Sequence, residues 1–151
     1  MDNKIEQYEK IVNFVKNNGN VKKETLYSEI VNLLYFTFPD MDWVGFYEKD
    51  LKKEELYLSF YVGELACEII KTGNGVCGKC YRDKKTQLVS NVHNIPYHIA
   101  CSSSTKSEIV VPIIDKENNC FAVLDIDSDK LNAFDEIDQK YLEQIATLLI
   151  K

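Results

Sequence analysis

Apolar residues change their period along this chain, and each change predicts a different kind of element. Between Lys4 and Lys16 the residues Ile5, Tyr8, Ile11, Val12 and Val15 recur at the spacing that places them on one side of an α-helix. Asn17-Asn18-Gly19-Asn20 then ends that helix. From about Lys22 to Phe38, Leu26, Ile30, Leu33 and Leu34 predict a second helix that stops before Pro39. The aromatic and β-branched runs Trp43-Val44-Gly45-Phe46-Tyr47 and Glu55 to Tyr61 flank the polar turn Lys49-Asp50-Leu51-Lys52-Lys53, which predicts a β-hairpin. Ser107 to Ile114 and Cys120 to Ile126 flank the turn Asp115 to Asn119 in the same way. From about Asp135 the helical period returns, with Ile137, Tyr141, Leu142, Ile145 and Leu149 in one stripe. Between the hairpins, Gly73 to Gly78 predicts a glycine-rich loop opening a short helix. Asn91 to Lys106 is a long polar loop carrying a cysteine, and long loops inside compact domains usually serve function.

These elements predict an α+β fold: a single domain over residues 1–151, with an antiparallel sheet covered on one face by the N- and C-terminal helices and on the other by site-bearing loops. With 45% apolar and 28% charged residues, the composition excludes a disordered or fibrous chain. A net charge of −6 and the lack of a basic cluster with interleaved aromatics argue against nucleic-acid binding. No run approaches the length of a transmembrane helix or the apolar core of a signal peptide, so a cytoplasmic protein without membrane attachment is expected. In that compartment five cysteines, an odd count, are not a disulfide framework.

The cysteines differ by setting. Cys120, inside an apolar strand, reads as core, and Cys67 taken alone reads the same way. Cys77 lies in Gly75-Val76-Cys77-Gly78 at a helix start, where unpaired amides favour a thiolate. Cys101 lies in His98-Ile99-Ala100-Cys101-Ser102-Ser103-Ser104, where hydroxyls, amides and a nearby imidazole suit a reactive thiol. The spacing leaves two chemistries open. Cys77, Cys80, His98 and Cys101 could close a tetrahedral zinc site, or the thiols could do redox work. Asp125-Ile126-Asp127-Ser128 reads either as a strand-end turn or as two carboxylates on one face of a strand, near Glu108 on the partner strand. Trp43 and Tyr47 also share a face, and by themselves read as core.

Taken together, Trp43-Val44-Gly45-Phe46-Tyr47, Ala66-Cys67, Gly73-x-Gly75-Val76-Cys77-Gly78, His98-Ile99-Ala100-Cys101, Ser107 to Pro112 and Leu124 to Ser128 resemble the free methionine-(R)-sulfoxide reductases, which have a GAF-type fold. Cys67, Cys77 and Cys101, ten and then twenty-four residues apart, carry most of the likeness. The resemblance implies thiol-dependent reduction of free L-methionine-(R)-sulfoxide without a cofactor or metal. In this reading Cys101 attacks the sulfoxide sulfur and becomes a sulfenic acid, Cys67 or Cys77 condenses with it to a disulfide, and thioredoxin or a similar dithiol reduces that bond. It implies Glu108, Asp125 and Asp127 for the substrate's ammonium group, with a protonated carboxyl able to donate to the sulfoxide oxygen. Trp43 and Tyr47 would surround the methyl group, and Gly75 with the amides around Cys77 would donate to the substrate's oxygens.

Two features depart from the family pattern. Cys80 and Cys120 lie outside it, Cys80 being a possible partner for Cys77, and Ser102 stands where an aspartate is expected. The competing readings are a non-catalytic GAF sensor for a small ligand and a zinc-stabilised interaction module. A homodimer is compatible with each of these readings.

Overall fold

The computed structural model describes residues 2–99, 101 and 104–150. Two N-terminal helices, α1 (Asp2–Asn17) and α2 (Lys23–Thr37), precede the strands β1 (Trp43–Lys49), β2 (Glu55–Val62) and β3 (Ile69–Lys71). A short helix α3 (Gly75–Asp83), strand β4 (Gln87–Val89) and a single 3-10 turn (Val92–Asn94) lead into β5 (Ser107–Ile114) and β6 (Cys120–Ser128). Helix α4 (Glu136–Leu148) follows. The strands form one antiparallel sheet in the order β3-β2-β1-β6-β5-β4.

Both predicted hairpins are present, as β1–β2 and β5–β6, and they join through pairing of β1 with β6. The edge strands β3 and β4 were not predicted. Each has three residues, too short for a period-two pattern to register.

Alternation along the central strands separates two apolar cores. Val44 and Phe46 of β1, Ile109, Val111 and Ile113 of β5, and Ala122, Leu124 and Ile126 of β6 pack with α1, α2 and α4. Trp43, Tyr47, Val110 and Val123 point the other way, toward α3 and its flanking loops. The helices at the two ends of the chain therefore cover one face, as the pattern predicts. The buried Asp138 fastens α1 to α4, accepting from the Tyr8 hydroxyl at 2.6 Å and from Lys4 Nζ at 2.6 Å. Asp135 caps α4 by accepting from the amides of Ile137 and Asp138.

Candidate active site

Strand pairing assembles the acidic and aromatic residues singled out in the sequence. Trp43 of β1 lies opposite Asp127 of β6, Gly45 lies opposite Asp125, and Glu108 of β5 lies opposite Asp127. Together with Tyr47 these side chains line a cavity of about 30 Å³ between the sheet and α3. The Trp43 and Tyr47 rings stack with centroids 6.1 Å apart, and Tyr61 of β2 stacks on Trp43 at 5.8 Å. Each ring of the pair is fixed at its polar end. Trp43 Nε1 donates to the Glu64 carbonyl at 2.9 Å, and the Tyr47 hydroxyl donates to the Cys67 carbonyl at 2.8 Å. Gly45 makes room for this stack, because a Cβ there would lie 2.3 Å from Cη2 of Trp43.

Helix α3 closes a second side. Its first residue, Gly75, has φ +66°, and a Cβ there would meet Cδ1 of Ile99 at 3.0 Å. This position therefore suits glycine twice over, by backbone and by space. Cys77 sits in the first turn as predicted, but the expectation of a favoured thiolate fails. The residue is only 4% exposed, and burial, with Asp125 and Glu108 close by, pushes its thiol well above the ordinary range. Desolvation and facing carboxyl groups outweigh the helix terminus, whose influence is modest.

The third side is the long loop, held by a disulfide between Cys67 and Cys101 whose Cα atoms are 5.3 Å apart. Cys101 therefore pairs with Cys67, while Cys77, Cys80 and Cys120 are free and buried. The zinc set drawn from spacing does not assemble in this form. Cys101 is bonded elsewhere, and Cys80 turns away to donate its thiol to the Val110 carbonyl. His98 places Nε2 3.9 Å from Oε1 of Glu108, and burial lowers its basicity so that the neutral ring is favoured. Ala100, Ser102 and Ser103, which flank Cys101, lie outside the described residues.

Glu108 and Asp125 are 6% and 5% exposed. Burial first, and then the charge of Asp125, raises Glu108 and Asp127 well above the usual carboxyl range. Asp125 is raised by burial too, but hydrogen bonds from Glu108, Cys77 and Asp127 favour its ionised form. The cluster thus holds protons at a pH where exposed carboxyls have lost theirs, with Asp125 best supported as the anion. Asn74 and Thr105 also line the cavity and were missed in the sequence, whereas Ala66 and Ile99, which line it too, fall within the motifs that carry the family likeness. Asn74 lies between two glycines of a loop already flagged, which was a usable signal, whereas Thr105 carries none. Trp43, Cys101, Thr105 and Asp127 also line an outer groove bounded by Phe36 and Leu65, so Cys101 faces both spaces.

Residues 24–149 match the family model described as GAF domain. A free methionine-R-sulfoxide reductase of Escherichia coli is 39% identical over 119 residues, 79% of this chain and 70% of that protein. One from Saccharomyces cerevisiae is 43% identical over 113 residues, 74% of this chain. The aligned segments span 63% of the yeast protein and 66% of the Dictyostelium discoideum GAF domain-containing protein A, just under two thirds of either length. The X-ray structure of free methionine-R-sulfoxide reductase from Neisseria meningitidis in complex with its substrate superposes with a TM-score of 0.86 at 38% identity, covering 94% of this chain and 83% of that one. A chain that matches the GAF model along most of its length, and shares this much sequence with a reductase of which it covers 70%, belongs to the free methionine-R-sulfoxide reductase family of GAF domain proteins.

Proposed function

We propose that the protein reduces free L-methionine-(R)-sulfoxide to methionine, with Cys101 as nucleophile and Cys67 as its resolving partner. The observation that carries this reading is the Cys67–Cys101 bond on the wall of a cavity lined by Trp43, Tyr47, Glu108, Asp125 and Asp127. Cys101, once reduced, attacks the sulfoxide sulfur. The sulfoxide oxygen passes to the cysteine as a sulfenic acid, and methionine leaves. The Cys67 thiol then attacks the sulfenic sulfur, expelling water and forming the disulfide. A dithiol protein such as thioredoxin returns both cysteines to thiols and is itself oxidised. The outer groove gives such a protein a path to Cys101.

The remaining residues have roles that follow from their settings. Asp125 and Asp127 offset the lost hydration of the substrate's ammonium group, which peptide-bound methionine lacks. Glu108, kept protonated by burial and its acidic neighbours, supplies the proton for the sulfoxide oxygen. Trp43 and Tyr47 enclose the methyl end, where aromatic rings meet sulfur favourably. The free thiol of Cys77 stays out of the cycle, because burial keeps it protonated. The test is turnover of the separated R and S epimers, free and peptide-bound, with dithiothreitol as reductant. Reduction confined to the free R epimer supports the proposal, and no reduction of it overturns the proposal. The competing sensor reading predicts ligand binding with no turnover.

A further inference from the structure

The donor set at the floor of the cavity suits a second kind of ligand. The Cys77 sulfur and one oxygen each from Glu108 and Asp125 lie within 4.8 Å of one another, all three residues buried. Asp125 Oδ1 is buried and, among the described residues, accepts from no backbone, hydroxyl or basic donor, which leaves the Cys77, Glu108 and Asp127 side chains as the groups that bond to this carboxylate. Among the described residues no lysine or arginine is paired with Glu108, Asp125 or Asp127, and the nearest basic side chain is His98, 3.9 Å from Glu108. We propose that in the disulfide form Cys77, Glu108 and Asp125 bind a divalent cation of borderline or soft character, Zn²⁺ or Cd²⁺, with water completing its shell.

Size, donor type and charge support this choice. A cavity of about 30 Å³ holds an ion with a water molecule but is far too small for an amino acid. One sulfur with two carboxylate oxygens and a water is a donor set that zinc accepts. Magnesium and calcium need six or more oxygens. Ligand bonds of about 2.0–2.3 Å place donors about 3.5 Å apart around one ion, so the three, which lie within 4.8 Å of one another, need only a small inward shift. The bound cation takes the Cys77 sulfur as thiolate, its proton leaving to solvent, and offsets the carboxylate charge that no lysine or arginine neutralises. The disulfide helps by removing Cys67 and Cys101 as competing ligands. Since the ion occupies the position given above to the substrate's ammonium, metal and amino acid exclude one another. That last point alone rests on the proposed function.

The test is titration of the oxidised protein with Cd²⁺ in the absence of substrate, the Cys67–Cys101 bond first verified by mass spectrometry, reading the sulfur-to-cadmium charge-transfer band. One equivalent per chain is expected, displaceable by Zn²⁺. The band should vanish in Cys77→Ser, persist in Cys80→Ser and Cys120→Ser, and require at least tenfold more cadmium in Asp125→Asn. Absence of the band in the wild-type protein, or its persistence in Cys77→Ser, overturns the site. Asp125→Asn keeps every thiol, so unaltered affinity in that variant overturns it as well, even if Cys77→Ser fails to fold. Failure to bind cadmium alongside normal turnover removes the metal site and leaves the reductase reading intact. Binding without turnover does the reverse.

Discussion

Glu108 and Asp127 stand directly opposite each other on β5 and β6, two carboxyl groups side by side where neither has a lysine or arginine partner among the described residues. Like charges in that arrangement repel, and burial adds the cost of removing each from water. The pair is tolerable when protons are shared across it, which ties both stability and chemistry to pH.

Stability should fall as pH rises above the ordinary carboxyl range. Glu108 is raised well above its usual 4.5 in the folded chain, so between that value and its folded pKa the native state binds more protons than the unfolded state. Folding is therefore favoured at the acid side of this window and weakened toward the basic side. Glu108→Gln removes one of the shifted groups. Its melting temperature at slightly alkaline pH should exceed that of the wild type by about 2–4 °C, the shift expected for about 1 kcal/mol in a domain of this size. Parallel melting curves for the two proteins across the window, with no narrowing of their gap toward acid, would contradict this account.

The two bonded cysteines should separate kinetically. Cys101→Ser should abolish reduction. Cys67→Ser should still release one methionine per chain and stop at a sulfenic acid, detectable with a dimedone-type reagent and intact-mass analysis. Cys77→Ser should form the Cys67–Cys101 disulfide after one turnover as the wild type does. A disulfide between Cys77 and Cys101 in the Cys67→Ser protein, formed at the wild-type rate, would reassign the resolving role.

Gly45 sets the position of the indole. The added methyl of Gly45→Ala must displace Trp43, since it would lie 2.3 Å from the ring, and such overpacking typically costs about 1–3 kcal/mol. The chain has a single tryptophan, so its fluorescence reports the displacement directly. We expect a shifted emission spectrum and a raised KM with a smaller effect on kcat. An unshifted spectrum would mean that the stack adjusts elsewhere.

The disulfide form should not bind substrate. A cavity of about 30 Å³ has room for about two water molecules, so methionine sulfoxide must wait for the loop containing Cys101 to move, and the bond to Cys67 holds that loop in place. Calorimetry with the free R epimer should show binding to Cys101→Ser, which cannot form this bond, and none to the oxidised wild type. Equal affinities would place the substrate elsewhere.

The parts governed by local periodicity and residue chemistry were legible along the chain. Helical spacing marked α1, α2 and α4, alternation marked the long strands, and period two placed Asp125 and Asp127 on one face of β6. The family resemblance picked out Cys67, Cys77 and Cys101. How these pieces act on one another depends on contacts between residues far apart in the chain. The pairing of β1 with β6 joins residues about eighty positions apart, and no local pattern encodes which hairpin edges meet. Burial reversed the reading of Cys77, because a pKa depends on what packs around the group and not on its place in a helix. The partner of Cys101 is Cys67, thirty-four residues away, a matter of Cα separation that sequence spacing cannot supply. The same contact leaves Cys77 among carboxyl groups, where it reads as a metal ligand.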